Sequence, residues 1–340
     1  MTLRAGVIGC GRIGSEFDVD PTRLSISSHA GAYYKLLETN LVSLCDIDSR
    51  KLERCGRRWG VSALYQDVEE MLTNEALDIV SICTPSSTHL QMVQETAKYG
   101  VRAIFCEKPM ANFTGECAEM IQLCRDRDIL LQVDHQRRFD PTHQEIRKFL
   151  QTGGLGKIQQ ATFYYTAGIN NTGSHMFDLL RFFFGDASWV MAVLGQGPSR
   201  SPLSKDPNYN GVIQFQSGLF CSIQACDDQS FRIFELNCLG TEGRMNLTHN
   251  GWELEFFGVA PSHLFQGYKA LYPGPSPIKT DRPREFLLDG VRHLVDCLNT
   301  GRRSLCSGED GQASVALVQA FSLSASRGGE RLTLPIPVTP

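Results

Sequence analysis

Short, almost uninterrupted apolar runs recur through the first 150 residues, at 3–8 (LRAGVI), 41–45 (LVSLC), 78–83 (DIVSIC), 102–106 (RAIFC) and 129–133 (ILLQV). A strand with one face in water alternates apolar and polar residues, whereas a strand covered on both faces has no polar face to show. Between these runs, segments 67–73, 88–99 and 114–127 read as helices. Strands that alternate with helices in this way build a parallel sheet with helices on both faces, a doubly wound arrangement.

The pattern changes after about residue 155. Longer alternating runs at 158–165, 209–216, 219–226 and 232–239 follow one another with turn signals between them, which predicts a mostly antiparallel sheet. One strongly apolar helix is expected near 175–184 (HMFDLLRFFF) and two more at 285–299 and 309–326, while 260–284, rich in Pro, Gly and Ser, reads as a surface loop. The expected fold class is α/β: a doubly wound parallel domain over 1–135, then an α+β domain over 136–340 built on a large, mostly antiparallel open sheet.

Composition narrows the function. The formal charge of −4 and the lack of any lysine or arginine run argue against a nucleic-acid partner. No apolar stretch approaches the roughly 20 residues that span a bilayer, and residues 1–9 lead straight into the first strand, so no membrane partner and a cytoplasmic location are expected. The chain has 12 cysteines but no CxxC pair, which predicts reduced thiols and no metal site.

Gly9, Gly11 and Gly14 form G-x-G-x-x-G (GCGRIG) directly after the first apolar run, with Arg12 and Ile13 between the last two glycines. Glycines so placed permit a tight turn and let backbone approach a pyrophosphate, the dinucleotide fingerprint of a Rossmann domain. Asp46 closes the second run, where a carboxylate accepts hydrogen bonds from a ribose diol and repels a 2′-phosphate, favouring NAD over NADP. Gly14 and Asp46 are 32 residues apart, against about 20 in the usual unit; an insertion at 15–28 accounts for the excess and is either part of the substrate mouth or an inert loop. Thr84 and Pro85 open TPSSTH after the third run, at the edge that faces a cofactor; His89 is either a cofactor contact or a helix-start residue packing on its neighbours.

Two segments carry candidate chemistry. Glu107, Lys108 and Pro109 end the fourth run, and Lys108 is either a donor to a substrate hydroxyl or a surface lysine paired with Glu107. His175 opens the apolar helix with Asp178 three residues on, and is either the acid/base of an alcohol oxidation or a capping histidine.

In order and spacing, GCGRIG, Asp46, TPSSTH, CEKP, RRFDP at 137–141, GSHMFDLLRFFFG at 173–185, GTEG at 240–243 and SGEDGQASVALVQA at 307–320 resemble the Gfo/Idh/MocA oxidoreductases across essentially the whole chain. The resemblance implies NAD or NADP as cofactor and a sugar, sugar nucleotide or cyclitol as substrate. It also implies a catalytic pair at Lys108 and His175 and a cis bond before Pro109. Cofactor contacts are then expected from Gly9, Gly11, Arg12, Ile13, Gly14, Asp46, Thr84, Pro85, His89, Glu107 and Lys108. Many polyol dehydrogenases of this family carry an aspartate four residues before the histidine. Here that position is Asn171, which orients a substrate group but accepts no proton. The function implied is hydride transfer between nicotinamide and a secondary alcohol or ketone. The alternatives are a sugar-modifying reaction through transient oxidation and a non-catalytic NAD or sugar sensor. An open sheet face further predicts a homodimer or homotetramer.

Overall fold

The protein is described by a computed structural model covering residues 2–23, 25–196, 199–203, 205–279 and 284–336. The described residues of Met1–Asp140 and Pro283–Val315 form one compact unit, and those of Pro141–Arg282 and Ala316–Pro337 form another.

The first unit is built on six parallel strands: β1 (Leu3–Ile8), β2 (Thr39–Cys45), β3 (Ala63–Tyr65), β4 (Ile79–Ile82), β5 (Ala103–Cys106) and β6 (Leu130–Val133). Their order is β3-β2-β1-β4-β5-β6. Between them run α1 (His29–Lys35), α2 (Ser49–Trp59), α3 (Val68–Asn74), α4 (His89–Thr96) and α5 (Thr114–Asp126). Every residue of β4 and β5 is buried, as a strand covered on both faces requires. The order turns back beside β1, so the carboxyl ends of β1 and β4 flank the crevice where ligands of such sheets bind.

The sequence predicts five strands here, and the sheet has six. The missed strand, β3, is three residues long and only half buried, so it shows no apolar run. The run at 78–83 is therefore the fourth strand and that at 102–106 the fifth.

The second unit opens with α6 (Pro141–Gln151), β7 (Ile158–Tyr165) and α7 (Ser174–Phe184). Strands β8 (Ala187–Leu194), β9 (Tyr209–Phe215), β10 (Phe220–Ala225), β11 (Phe234–Gly240), β12 (Gly243–Thr248), β13 (Glu253–Pro261) and β14 (Lys269–Gly274) follow. The C-terminal part holds α8 (Phe286–Thr300), which belongs to the first unit, then α9 (Gly308–Ser326) and β15 (Leu332–Thr333). The nine-stranded sheet runs β14-β13-β12-β11-β7-β10-β9-β8-β15 and is antiparallel except between β7 and β10.

One face of this sheet sends Phe163, Ile213, Ile223 and Leu236 into a core with Phe177 and Leu180 of α7 and Phe321 of α9. On the opposite face the cross-strand register aligns Tyr164, Trp189, Met191, Val193, Val212 and Phe220, and several of these are exposed. The expected loop at 260–284 needs correction, because β14 lies within it and pairs with β13. Its Pro273 is tolerated because β14 is an edge strand with no further neighbour to bond.

Candidate functional site

Each fingerprint glycine has a distinct reason to be glycine. Gly9 follows β1 with φ +98°, and a Cβ there would lie 2.8 Å from the Cys83 carbonyl after β4. At Gly14 a Cβ would collide with the Gly9 carbonyl, so only glycine lets these segments pack. Around Gly11 nothing lies within 4 Å of where a Cβ would be, which leaves open the backbone edge that a pyrophosphate would approach.

Asp46 ties this turn to the end of β2. One carboxylate oxygen accepts from the Cys10 amide at 2.7 Å and the other from the Asp48 amide at 2.9 Å. Each oxygen keeps a lone pair, so the side chain both braces the fingerprint and remains able to accept from a ribose diol. Glycine turn, open edge and acid together fit NAD.

The excess spacing before Asp46 is a closed excursion. The chain leaves at Ser15 and returns at Ser28, and the amides of His29 and Ala30 then bond to the carbonyls of Ile13 (3.0 Å) and Gly14 (2.9 Å). α1 thus takes the place of the helix that normally follows a fingerprint directly. Asp18 staples the excursion, accepting from the Ser27 amide at 2.7 Å and from the Ser28 hydroxyl. Within it Phe17 lies under the Arg23 guanidinium at 3.8 Å, with the exposed Arg12 on the same ring at 5.7 Å.

Thr84 and Pro85 leave β4 beside Gly9. His89 is buried; one ring nitrogen lies 2.8 Å from the Thr84 carbonyl and the other 3.1 Å from that of Met110. Burial pushes its pKa down against the pull of these carbonyls. The ring thus lies between two backbone segments and, kept neutral, donates to one of these carbonyls.

At the end of β5, Lys108 is half-buried and its bond to Pro109 is cis. Glu107 is 6% exposed, and its carboxylate accepts from the Lys108 amide at 3.0 Å while approaching His29 Nε2 at 3.0 Å. The Glu107 carboxylate therefore takes part in an internal network. Sequence reasoning nominated neither His29 nor Asp134 of that network, because both lie far from Glu107 in the chain.

In the second unit, His175 stands in the first turn of α7, directly after a π-helical segment, Gly168–Gly173. Asn171 donates its side-chain amide to the Ala167 carbonyl at 3.1 Å, so it holds backbone. Asp206 braces the same segment: one oxygen accepts from the Asn170 amide at 2.8 Å, the other from the Asn171 amide at 3.0 Å. Sequence reasoning also missed Asp206, 35 residues from Asn171 and without a motif around it.

A six-stranded doubly wound sheet with a glycine fingerprint, an acid closing β2 and a lysine closing β5 defines an NAD-binding oxidoreductase. Residues 3–135 match the model of an oxidoreductase family, NAD-binding Rossmann fold, and residues 169–334 match that family's C-terminal alpha/beta domain. The chain belongs to the Gfo/Idh/MocA oxidoreductase family. It is similar to a D-apiose dehydrogenase of Paraburkholderia graminis, 27% identical, with 96% of this chain and 88% of that protein covered. A myo-inositol 2-dehydrogenase of Thermotoga maritima is 23% identical, covering 95% and 96%. Among solved structures, the WlbA dehydrogenase of Bordetella pertussis in complex with NADH and UDP-GlcNAcA shares the fold, with a TM-score of 0.79, 21% identity and coverage of 99% and 100%. No helix among the described residues is long and apolar enough to cross a membrane.

Proposed function

We propose that this oxidoreductase interconverts a secondary alcohol and a ketone on a sugar, sugar nucleotide or cyclitol, with NAD as the hydride carrier. The observation that carries this reading is Lys108, placed at the carboxyl edge of the sheet beside the crevice and next to a buried carboxylate. The names of its relatives, D-apiose and myo-inositol dehydrogenases, support the substrate class.

Gly9, Gly11 and Gly14 with Asp46 hold the nucleotide. NAD held there would supply the hydride acceptor for the carbinol carbon. Lys108 donates to the hydroxyl oxygen and stabilises alkoxide character there. The hydroxyl proton passes to a general base as the carbonyl forms and returns in reduction, a role that the family resemblance assigns to His175. Asn171 keeps the backbone before His175 in place. The apolar sheet face at Tyr164, Met191, Val193 and Phe220 is read as the seat of a second copy of the chain, which a mass measurement in solution by light scattering tests; a monomer would refute it.

Tryptophan fluorescence titration tests the nucleotide preference. NADH is expected to bind at least about tenfold tighter than NADPH, and Asp46→Ala to lose about tenfold in NADH affinity through the missing ribose acceptor. NADH formation across a panel that includes D-apiose and myo-inositol tests the substrate class. An enzyme that binds NADH but reduces no NAD with any member of the panel would overturn the alcohol-oxidation reading.

A further inference from the structure

A chain of buried polar groups runs through the first unit to Glu107, and the chemistry proposed above makes no use of it. Tyr33, Ser81 and His29 are fully buried and Asp134 is 2% exposed. The Tyr33 hydroxyl lies 2.8 Å from Ser81 Oγ, Ser81 Oγ lies 2.9 Å from His29 Nδ1, and His29 Nε2 lies 3.0 Å from Glu107. One donor assignment satisfies every link: Tyr33 donates to Ser81, Ser81 to Nδ1, and Nε2–H to Glu107. The Lys108 amide is a further donor, so hydrogen bonds converge on the Glu107 carboxylate.

Asp134 Oδ2 lies 3.8 Å from the same His29 Nε2, and a carboxylate oxygen of Asp134 comes within 4.8 Å of one on Glu107. Two buried carboxylates this close cannot both be ionised cheaply, so one of them holds a proton with which it can donate to the other. Asp134 Oδ1 is buried with no hydrogen-bond partner. A bare buried oxygen costs an ionised carboxylate considerably more than a neutral acid, which puts the proton on Asp134.

We propose that His29 and Asp134 are positioning residues that act through Glu107, clamping its carboxylate between two donors so that it stays an anion beside Lys108 and keeps Lys108 the cationic donor of the site. Burial and the neighbouring Glu107 charge hold Asp134 well above the usual carboxylate range. Burial alone would raise Glu107 too, but the hydrogen bond from His29, with Asp134 and Lys108, brings it below its ordinary value. The other ionisable groups acting on this pair are the hydroxyl of Tyr33, the thiols of Cys83 and Cys106, and His89. Burial raises the first three, so they add no charge near neutral pH.

This inference rests on Lys108 being the donor, yet its test needs no turnover, so the two readings fail separately. Infrared spectra of the full-length protein near neutral pH are compared between wild type and Asp134→Asn. The wild type is expected to show a protonated-carboxyl stretch that the variant lacks; no difference would overturn the proposal. Reductive ¹³C-methylation then makes Lys108 a reporter, its resonance assigned by its loss in Lys108→Arg. Asp134→Ala removes a donor from Glu107, so a new titration step is expected at Lys108 between about pH 5 and 7. Asp134→Asn keeps a donor and is expected to show no such step. An Asp134→Ala titration without the step, or an Asp134→Asn titration with it, overturns the clamp. So does a stoichiometric divalent ion found in the purified protein and lost in either variant, because a cation would then set the charge on these side chains.

Discussion

Lys108→Met is expected to lower kcat about 10³-fold while the dissociation constant for NADH changes less than about twofold. A donor fixed where negative charge develops is worth roughly 3–4 kcal/mol in the transition state, and it contributes little to the ground-state complex. Methionine keeps the length and apolar stem of lysine, so packing changes little. Glu107 gains much of its support from His29 and from the Lys108 backbone amide, which the substitution leaves in place. Melting temperature should therefore stay near that of the wild type. Pre-steady-state hydride transfer, monitored by nicotinamide absorbance, separates chemistry from product release. Turnover close to wild type would remove Lys108 from the reaction, whereas an equal loss of NADH affinity would make it a cofactor ligand instead.

The parts legible in the sequence are those in which one local signal determines the outcome. The run LRAGVI followed by GCGRIG places β1 and its turn with no help from tertiary structure. The two late helices at 285–299 and 309–326 match α8 and α9 to within a residue at each end. What escaped is spread along the chain or only weakly apolar. In α2 (SRKLERCGRRW) only Leu52, Cys55 and Gly56 are buried, and the helix is set by its ends, Asp48 accepting from the amides of Arg50 and Lys51 and Gly60 closing it with φ +67°. The segment at 260–284, of which 280–283 lie outside the described residues, has a loop composition, yet Lys269–Gly274 within it pairs as an edge strand, since backbone hydrogen bonds do not depend on the side-chain signal. His29, Ser81, Glu107 and Asp134 stand in four separate segments. Each has an unremarkable neighbourhood, and only the parallel sheet that gathers α1 and the carboxyl ends of β5 and β6 gives the group a meaning.

Asp206→Ala is expected to destabilise the protein by about 4 kcal/mol, a shift of roughly 10³ in the folding equilibrium. Asp206 is 5% exposed, and its carboxylate accepts from the Asn170 amide, the Asn170 side chain, the Asn171 amide and the Ser201 hydroxyl, at 2.7 to 3.0 Å. Alanine would leave these donors facing a void, and each unsatisfied buried donor costs about 1–3 kcal/mol, less whatever water can enter. The backbone here has little stability of its own. Ala167 and Gly168 are both in the left-handed region, at φ +65° and +86°, and a Cβ on Gly168 would overlap the Asp206 carboxylate. Left-handed geometry at a residue other than glycine costs about 1–3 kcal/mol and persists only where surrounding bonds impose it. Asp206→Asn keeps one acceptor but points an amide at other amides, so a loss between wild type and alanine is expected. Chemical denaturation gives the size of the effect. Because the segment leads directly into His175, the alanine variant is also expected to lose kcat at temperatures where it is still folded. A loss below about 1 kcal/mol with unchanged kcat would mean that the π-helical segment holds His175 without Asp206.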